Sequence, residues 1–384
     1  MYVFPGKITK AIGAYIRNLL NKNEGLFNRS GIGRHSRAVM DKKKILITRT
    51  DRLGDVVLST PVIRAVRRAY PEAYIAFMVR PCNRDIVANN PDLDEVIIYD
   101  KYGYHKSLWS TFNFALKLRS EKFDMGIALH PTNRVHMIMY IAGIPARVGY
   151  DRKMAFLLTE KISHTKQYGE KHEIDYNLDM LRAVGLRFDR ADRKPYIITS
   201  DNERKMVDAV KKTCVLGDRI IAFHVGASCL SKQWPVEKFA ETADRLSQKY
   251  KYDIVLLGGE DTEVLSKKMI SLMKTRANDL TGTLLLGEFA EFLSRCELFI
   301  SNDSGPVHVA VAVGTPVIAI FGRKDPGLSP LRWGPVGEKD KSLHKPPPDC
   351  DICLAHACNK GFLCLKNVKV QDVINTADSI LQRG

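Results

Sequence analysis

Long apolar runs are missing from this 384-residue chain: none approaches the ~20 residues that a membrane-spanning helix requires. The chain also has no G-x-G-x-x-G, no G-x-x-x-x-G-K-S/T and no H-E-x-x-H, so dinucleotide-binding, P-loop NTPase and zinc-protease readings lack their signatures. Its start is not a secretory signal, because charges interrupt the apolar residues and no A-x-A-like cleavage site follows. A cytoplasmic protein is expected, in which the eight cysteines need not be paired. Acidic residues are scarce: 43 Asp and Glu against 59 Lys and Arg leave a formal charge of +16. Such an excess attracts polyanions, whether nucleic acid, acidic lipid headgroups or phosphorylated glycans.

The excess is unevenly placed. Residues 1–44 hold ten Lys or Arg and two acids. Within them Phe4, Ile8, Ile12, Tyr15, Ile16, Leu19 and Leu20 fall at helical spacing, with Lys7, Lys10, Arg17 and Lys22 among the polar positions. A basic amphipathic helix on an anionic membrane surface has this pattern, and a helix packed on the protein's own surface is the plainer alternative. Residues 23–40, with Gly25, Gly31 and Gly33, read as a flexible tether.

A chain of this length exceeds the usual single-core size, and 45% hydrophobic residues give two lobes material for a core each. Short apolar runs at Lys44 to Thr48, Tyr74 to Val79, Glu95 to Tyr99 and Met125 to Leu129 read as strands. Helical periodicity separates them, as at Val57 to Ala69 and Leu108 to Arg119. The pattern resumes at Ile220, Ile254, Leu298 and Val317 to Phe321. Strand alternating with helix, twice over, predicts an α/β protein of two doubly wound, Rossmann-like lobes with a cleft between them. The polar stretch Arg187 to Lys194 is the expected linker. Asp92-Leu93-Asp94 superficially matches a D-x-D metal motif, but it enters a strand after Asn89-Asn90-Pro91 and reads better as a loop acid pair.

The most informative stretch is Asn302-Asp303-Ser304-Gly305-Pro306-Val307-His308, between a buried-looking strand and a helix. Asp303 and Ser304 suit an N-cap, Gly305 admits a ligand close to the backbone, and Pro306 suits the first helical turn. Free N–H groups at such a helix start would hold phosphate, although an ordinary capped helix has the same look. Upstream, the strand from Ile220 runs into Ser231-Lys232-Gln233-Trp234-Pro235, where Lys232 is a movable cation. The strand from Ile254 ends at Gly258-Gly259-Glu260, whose carboxylate could accept hydrogen bonds from ribose. Ligands bind at the carboxyl ends of parallel strands, so these three ends together read as a nucleotide-diphosphate site.

With Arg49-Thr50-Asp51-Arg52-Leu53-Gly54-Asp55 near the start, these motifs make the chain resemble the lipopolysaccharide heptosyltransferases, the family-9 glycosyltransferases of GT-B fold. The resemblance covers about residues 43–375. It implies an acceptor-binding lobe at 42–194 and a donor-binding lobe at 195–365, and the basic extension at 1–41 falls outside it. A final helix within 366–384 would return toward the first lobe. It further implies inverting, metal-independent transfer of heptose from ADP-heptose to the lipopolysaccharide inner core. The expected setting is the cytoplasmic face of the inner membrane, with an anionic membrane surface as partner and no nucleic acid. A family-9 enzyme using another nucleotide sugar or acceptor remains open, as does a non-catalytic, nucleotide-responsive membrane or nucleic-acid binding module.

By the resemblance, Asp55 matches the proposed catalytic base, with Asp51 a weaker rival. A helix start there would favour the ionised carboxylate by ~0.3–1 kcal/mol. The alternative is a helix-capping acid without chemistry. Lys232 is expected to bind the donor diphosphate and stabilise its departure, with Ser231, Glu260, Asp303, Ser304, Gly305 and His308 completing the donor site. Glu263 is a second candidate for the ribose, and His308 either faces the ligand or packs inside. Arg49, Arg52 and Arg80 suit a carboxylated or phosphorylated acceptor, and Arg147, Tyr150 and His172 are weaker candidates. No cofactor is required. Cys350, Cys353, Cys358 and Cys364 have the C-x2-C-x4-C-x5-C spacing of a structural zinc or cluster site, with reduced thiols or disulfides as alternatives.

Overall fold

The computed structural model describes residues 43–350 and 352–382, with the side chains of residues 190 and 191 excluded. The basic segment 1–41, with its expected membrane helix and tether, lies outside the described residues.

Two six-stranded sheets organise the described chain, and every strand pair in both is parallel. The first comprises β1 (Lys44–Thr48), β2 (Tyr74–Val79), β3 (Glu95–Ile98), β4 (Met125–Ala128), β5 (Ala146–Tyr150) and β6 (Glu160–Ile162), in the order β3-β2-β1-β4-β5-β6. The second comprises β7 (Ile220–His224), β8 (Asp253–Leu256), β9 (Ala277–Asp279), β10 (Leu298–Asn302), β11 (Val317–Phe321) and β12 (Lys341–His344), in the order β12-β11-β10-β7-β8-β9. Read from the other edge, the second order repeats the first. Each lobe winds outward from its first strand, returns, and winds out the other way. The central strands read as continuous apolar runs because helices cover both faces; β7, β10 and β11 are buried throughout.

In such a sheet the crevice for ligands opens where the winding reverses, at the carboxyl ends of the strands on either side. Those strands are β1 and β4 in the first lobe, and β7 and β10 in the second. The motif Arg49–Asp55 leaves β1, the Ser231–Lys232 loop leaves β7, and Asp303–Gly305 leaves β10. Topology therefore delivers all three motifs to the two reversal points.

The helices that bear on the site are α1 (Leu53–Val57), α2 (Thr60–Ala69), α3 (Leu108–Arg119), α4 (Asn133–Ile141), α5 (Glu173–Arg182), α6 (Asp201–Thr213), α7 (Val236–Tyr250), α8 (Glu263–Leu272), α9 (Leu286–Ser294), α10 (Gly305–Val313), α11 (Pro330–Trp333), α12 (Leu363–Asn367) and α13 (Val370–Leu381). Of the expected helical stretch Val57 to Ala69, Thr60–Ala69 forms α2 with Pro61 in its first turn, and Val57 ends α1. Helices α3 and α4 cover one face of the first sheet in a core that includes Leu46, Met78, Ala115 and Ile138. Past Lys194 the chain still holds to the first lobe, since Tyr196 donates from its N–H to Thr60 Oγ1 at 3.1 Å and from its hydroxyl to Asp92 Oδ2 at 2.7 Å. Helix α6 then starts with a capping box between Ser200 and Glu203.

The final helix, α13, does not return to the first lobe. Its apolar stripe of Val370, Val373, Ile374, Ala377 and Ile380 packs with Trp234, Phe239 and Ala243 on the second lobe, and Lys249 and Tyr250 of α7 both bond Asp378. Burial of that stripe on the adjacent sheet fixes its place. Among the described residues, no helix is long and apolar enough to cross a membrane.

Candidate active site

The two reversal points meet across a glycine contact. A Cβ at Gly54 would come within 2.7 Å of His308 Cδ2, and one at Gly305 within 3.2 Å of Leu53 Cβ and 3.3 Å of the Gly54 nitrogen. Glycine at both positions lets α1 of the first lobe and α10 of the second touch backbone to backbone. His308 fills the remaining space. It is 4% exposed, and burial, with His172 and Lys232 nearby, pushes its pKa down to about 3. Of the two placements open in the sequence, it packs inside, as a neutral spacer between the lobes.

Beside this contact lies the acid expected to be the base. Asp55 faces Arg49, whose Nη2 also donates to Glu173 Oε1 at 3.1 Å. The same guanidinium donates from Nε to Asp51 Oδ1 at 2.8 Å and from Nη1 to the Leu129 carbonyl at 3.2 Å and Asn177 Oδ1 at 2.9 Å. All five donors of Arg49 are thus engaged inside the protein. It is buried, and it orients carboxylates rather than reaching for an acceptor, which corrects its expected role. The electrostatic expectation for Asp55 also changes. Helix α1 has only five residues, so no dipole of consequence acts there. Burial, reinforced by the charge of Asp51 and opposed by Arg49, pushes the Asp55 pKa up to about 6. The rival acid Asp51 shares Arg49 and lies 3.4 Å from His130 Nδ1. Burial and Arg49 push the His130 pKa down to about 3, leaving it neutral.

Glu173 joins this cluster to the other lobe. It is fully buried and takes Lys166 Nζ at 2.6 Å on one oxygen, and Arg332 of α11 at 2.9 and 3.1 Å on the other. Burial alone would raise its pKa, but Lys166, Arg49 and Arg332 outweigh burial and hold it well below the usual carboxylate range. Arg332 also donates to the carbonyls of Lys166 and Gly327, each at 3.0 Å. One carboxylate therefore ties Arg49 of the first lobe to an arginine of the second. Glu173→Gln leaves two buried cations, Arg49 and Lys166, and the partly buried Arg332 short of one charge and is expected to lower unfolding free energy by ~3–5 kcal/mol. Urea denaturation checks this, and a change under ~1 kcal/mol would mean the cluster rearranges without strain.

On the donor side, Lys232 Nζ lies 3.2 Å from Asp303 Oδ1, and Arg323 Nη2 lies 2.7 Å from Asp303 Oδ2. Burial, against the pull of Asp303, lowers the Lys232 pKa. Asp303 thus grips two cations and does not cap the helix. Ser304, at the N-cap of α10, makes no side-chain cap either; its hydroxyl lies 3.1 Å from Ser301 Oγ and 3.3 Å from His224 Nδ1. The first N–H groups of α10 consequently have no side-chain capping partner. Asn302 aligns the two loops, accepting from the Trp234 N–H at 2.9 Å and donating to the Val225 carbonyl at 2.8 Å. Glu260 is exposed at the end of β8, whereas Glu263 is paired with Lys267 at 3.0 Å, which favours Glu260 for the ribose.

Other expected residues fall elsewhere. Ser231 is 2% exposed and turns from the cleft, with its Oγ 3.2 Å from His356 Nδ1 and 3.3 Å from Cys229 Sγ. Arg147 bonds the Leu157 carbonyl, Tyr150 the Tyr176 carbonyl and His172 the Gly334 carbonyl, so all three are committed to the fold. Arg52 is exposed, and Arg80 donates to the Asp51 carbonyl at 3.3 Å and stacks on Tyr102. Cys350, Cys353, Cys358 and Cys364 line one pocket with Ser231 and Arg323 as free thiols. Among the described residues, no group of three or more His, Cys, Asp or Glu is arranged to hold a metal ion.

Sequence reasoning missed Lys166, Glu173, Asn177, Arg323 and Arg332. Arg323 could have been found: it follows Phe321-Gly322 at the end of β11, by the rule that found Lys232. The others carry no local signal.

Residues 111–362 match the model of glycosyltransferase family 9 (heptosyltransferase). The chain belongs to glycosyltransferase family 9. Lipooligosaccharide heptosyltransferase 2 of Haemophilus influenzae is 26% identical over 303 residues, 74% of this chain and 85% of that protein. Lipopolysaccharide heptosyltransferase 3 of Escherichia coli K12 is 26% identical over 284 residues, 71% of this chain and 80% of the relative. The family-9 glycosyl transferase from Veillonella parvula superposes with a TM-score of 0.82 at 26% identity, covering 91% of this chain and 100% of that one. An E. coli heptosyltransferase solved with ADP shares the fold, with a TM-score of 0.66 at 18% identity over 88% of this chain and 99% of that one. This family-9 enzyme has the GT-B architecture of two facing lobes. It is a glycosyltransferase.

Proposed function

We propose that this family-9 enzyme transfers heptose from ADP-heptose to the inner core of lipopolysaccharide, with inversion at the anomeric carbon. One observation carries the mechanism: the carboxylate of Asp55 and the cation Lys232 come from the two topological reversal points, which meet at Gly54 and Gly305, and Asp303 draws in a second cation, Arg323, from the end of β11. The relatives' heptosyltransferase names and the neighbour solved with ADP support the donor.

In this reading Asp55 accepts the proton of an acceptor hydroxyl as that oxygen bonds to the anomeric carbon. The bond from that carbon to the diphosphate oxygen breaks, and its electron pair leaves with ADP. Lys232, Arg323 and the start of α10 meet the charge that develops on the diphosphate. Asp303 holds the two cations apart and in place. Glu260 takes the ribose hydroxyls, while Arg52 and Arg80 face the anionic acceptor. A positioned base supplies on the order of 10²- to 10⁴-fold, and orientation with electrostatics the rest. No step is assigned to a metal, and nucleic acid is not a partner. The setting is the cytoplasmic face of the membrane that carries the acceptor.

Because Asp55 works ionised and its pKa is raised to about 6, kcat/KM should fall as pH drops below that value, with a slope of one proton. A profile flat from pH 7 to about 4.5 would contradict an essential carboxylate with a raised pKa.

A donor panel tests the function. The enzyme is incubated with ADP-heptose, ADP-glucose and UDP-sugars and with core-truncated lipopolysaccharide, with and without chelator, and products are identified by mass. Addition of one heptosyl residue from ADP-heptose, unaffected by chelator, is expected. Transfer of a hexose in preference would assign another family-9 donor.

A further inference from the structure

The loop after β3 and helix α3 of the first lobe carry an exposed aromatic surface that borders Arg80, which stacks on Tyr102. Tyr102, Tyr104 and Trp109 are 65%, 78% and 70% exposed. Trp109, Phe112 and Leu116 follow at i, i+3 and i+7 on α3, so they share one helix face, and Trp109 stacks on Phe112 with ring centres 5.6 Å apart. The loop before α3 is firmly built. Asp100 accepts the N–H groups of Gly103 and Tyr104 at 2.9 and 3.1 Å, and Arg134 of α4 donates to the carbonyls of His105 and Lys106 at 2.9 and 2.6 Å. His105 packs between Tyr104 and Phe114, joining loop and helix into one surface.

Charge identifies what this surface meets. Residues 101–119 contain Lys101, Lys106, Lys117 and Arg119 and no acid. Exposed Trp and Tyr among Lys and Arg match the interfacial layer of an anionic bilayer, where aromatic rings sit at headgroup depth and cations meet lipid phosphates.

We infer that the α3 face and the Lys101–Lys106 loop form a membrane-docking surface for anionic lipid, with Trp109 and the two tyrosines entering the interface. This rests on the proposed function insofar as a lipid-borne acceptor gives the docking a purpose. The surface belongs to the lobe carrying Asp55, so docking holds that lobe at the membrane.

Trp109 is itself the reporter. Of the three tryptophans it is the strongly exposed one, Trp234 being buried and Trp333 half-buried. The full chain is mixed with phosphatidylcholine vesicles, with or without phosphatidylglycerol, that carry brominated acyl chains. Anionic vesicles should blue-shift and quench the emission, and Trp109→Phe should abolish both changes. Each of Lys106→Glu and Lys117→Glu should weaken vesicle affinity by at least about fivefold, while turnover on a soluble acceptor stays unchanged. Vesicle binding that leaves Trp109 in water would overturn the inference and assign attachment to residues 1–42. A concentration-dependent shift without lipid would overturn it in favour of a second copy, and failure to bind anionic vesicles would overturn it outright. Loss of transfer to soluble acceptor would instead count against the proposed function, because that assay contains no bilayer.

Discussion

Replacing Asp55 by asparagine is expected to lower kcat by about 10²- to 10⁴-fold while leaving ADP affinity and the unfolding transition close to wild type. Asparagine keeps an oxygen to accept from Arg49, so the guanidinium stays where Asp51, Asn177 and Glu173 already hold it. What it loses is the ability to take a proton. Steady-state kinetics with ADP-heptose, and calorimetric titration with ADP, separate the two effects. A fall of less than about fivefold would remove Asp55 as the base in the proposed mechanism. Asp51→Asn would then be expected to carry the larger loss, because Asp51 shares the same arginine and is itself mostly buried.

Lys232→Ala should weaken donor binding and chemistry together. A hydrogen bond to a charged group contributes ~1.5–3 kcal/mol, so the ADP Kd should rise roughly 10- to 150-fold. The loss in kcat/KM should be greater still, since negative charge grows on the diphosphate as the bond breaks. The fold should survive, because Asp303 keeps Arg323 at 2.7 Å. Lys232→Arg should recover only part of the loss, since a planar fork does not reproduce a compact ammonium on a short loop. An unchanged ADP Kd in Lys232→Ala would assign the diphosphate to Arg323 instead.

The lobes were legible because their central strands are buried on both faces and therefore read as unbroken apolar runs, as in Ile220–His224 and Val317–Phe321. Of the edge strands, Glu95–Ile98 was legible from its Val-Ile-Ile run, but Glu160–Ile162, Ala277–Asp279 and Lys341–His344 are short, largely polar and half in water, so no periodicity marks them. The bounds of α13 were legible from its apolar spacing, but its docking was not, since a stripe of Val, Ile and Ala says that a face is buried and not against which sheet. At the candidate site, the residues that sequence proposes from strand ends, Asp55, Lys232, Asp303 and Gly305, are the ones the topology carries to the two reversal points. Glycine at 305 signalled close approach of a ligand, and only the fold shows that what comes close is Gly54 and its neighbour Leu53. The misassignment of Arg49 has the same origin. An arginine after a strand resembles a ligand contact until the carboxylates that consume its donors are seen, and Glu173 lies 124 residues away. The Glu173 bridge to Arg332 spans a further 159, beyond the reach of any motif.

The most direct test of the account is the stereochemistry of a single transfer. The enzyme is given ADP-β-heptose and core-truncated lipopolysaccharide, and the anomeric configuration of the new linkage is read by NMR, in wild type and in Asp55→Asn. The account predicts an α-linked heptose formed by wild type and the same product, far more slowly, by the variant, because one displacement assisted by Asp55 inverts the centre. A β-linked product would mean two displacements through a covalent intermediate, and would contradict Asp55 as a general base acting on the acceptor hydroxyl.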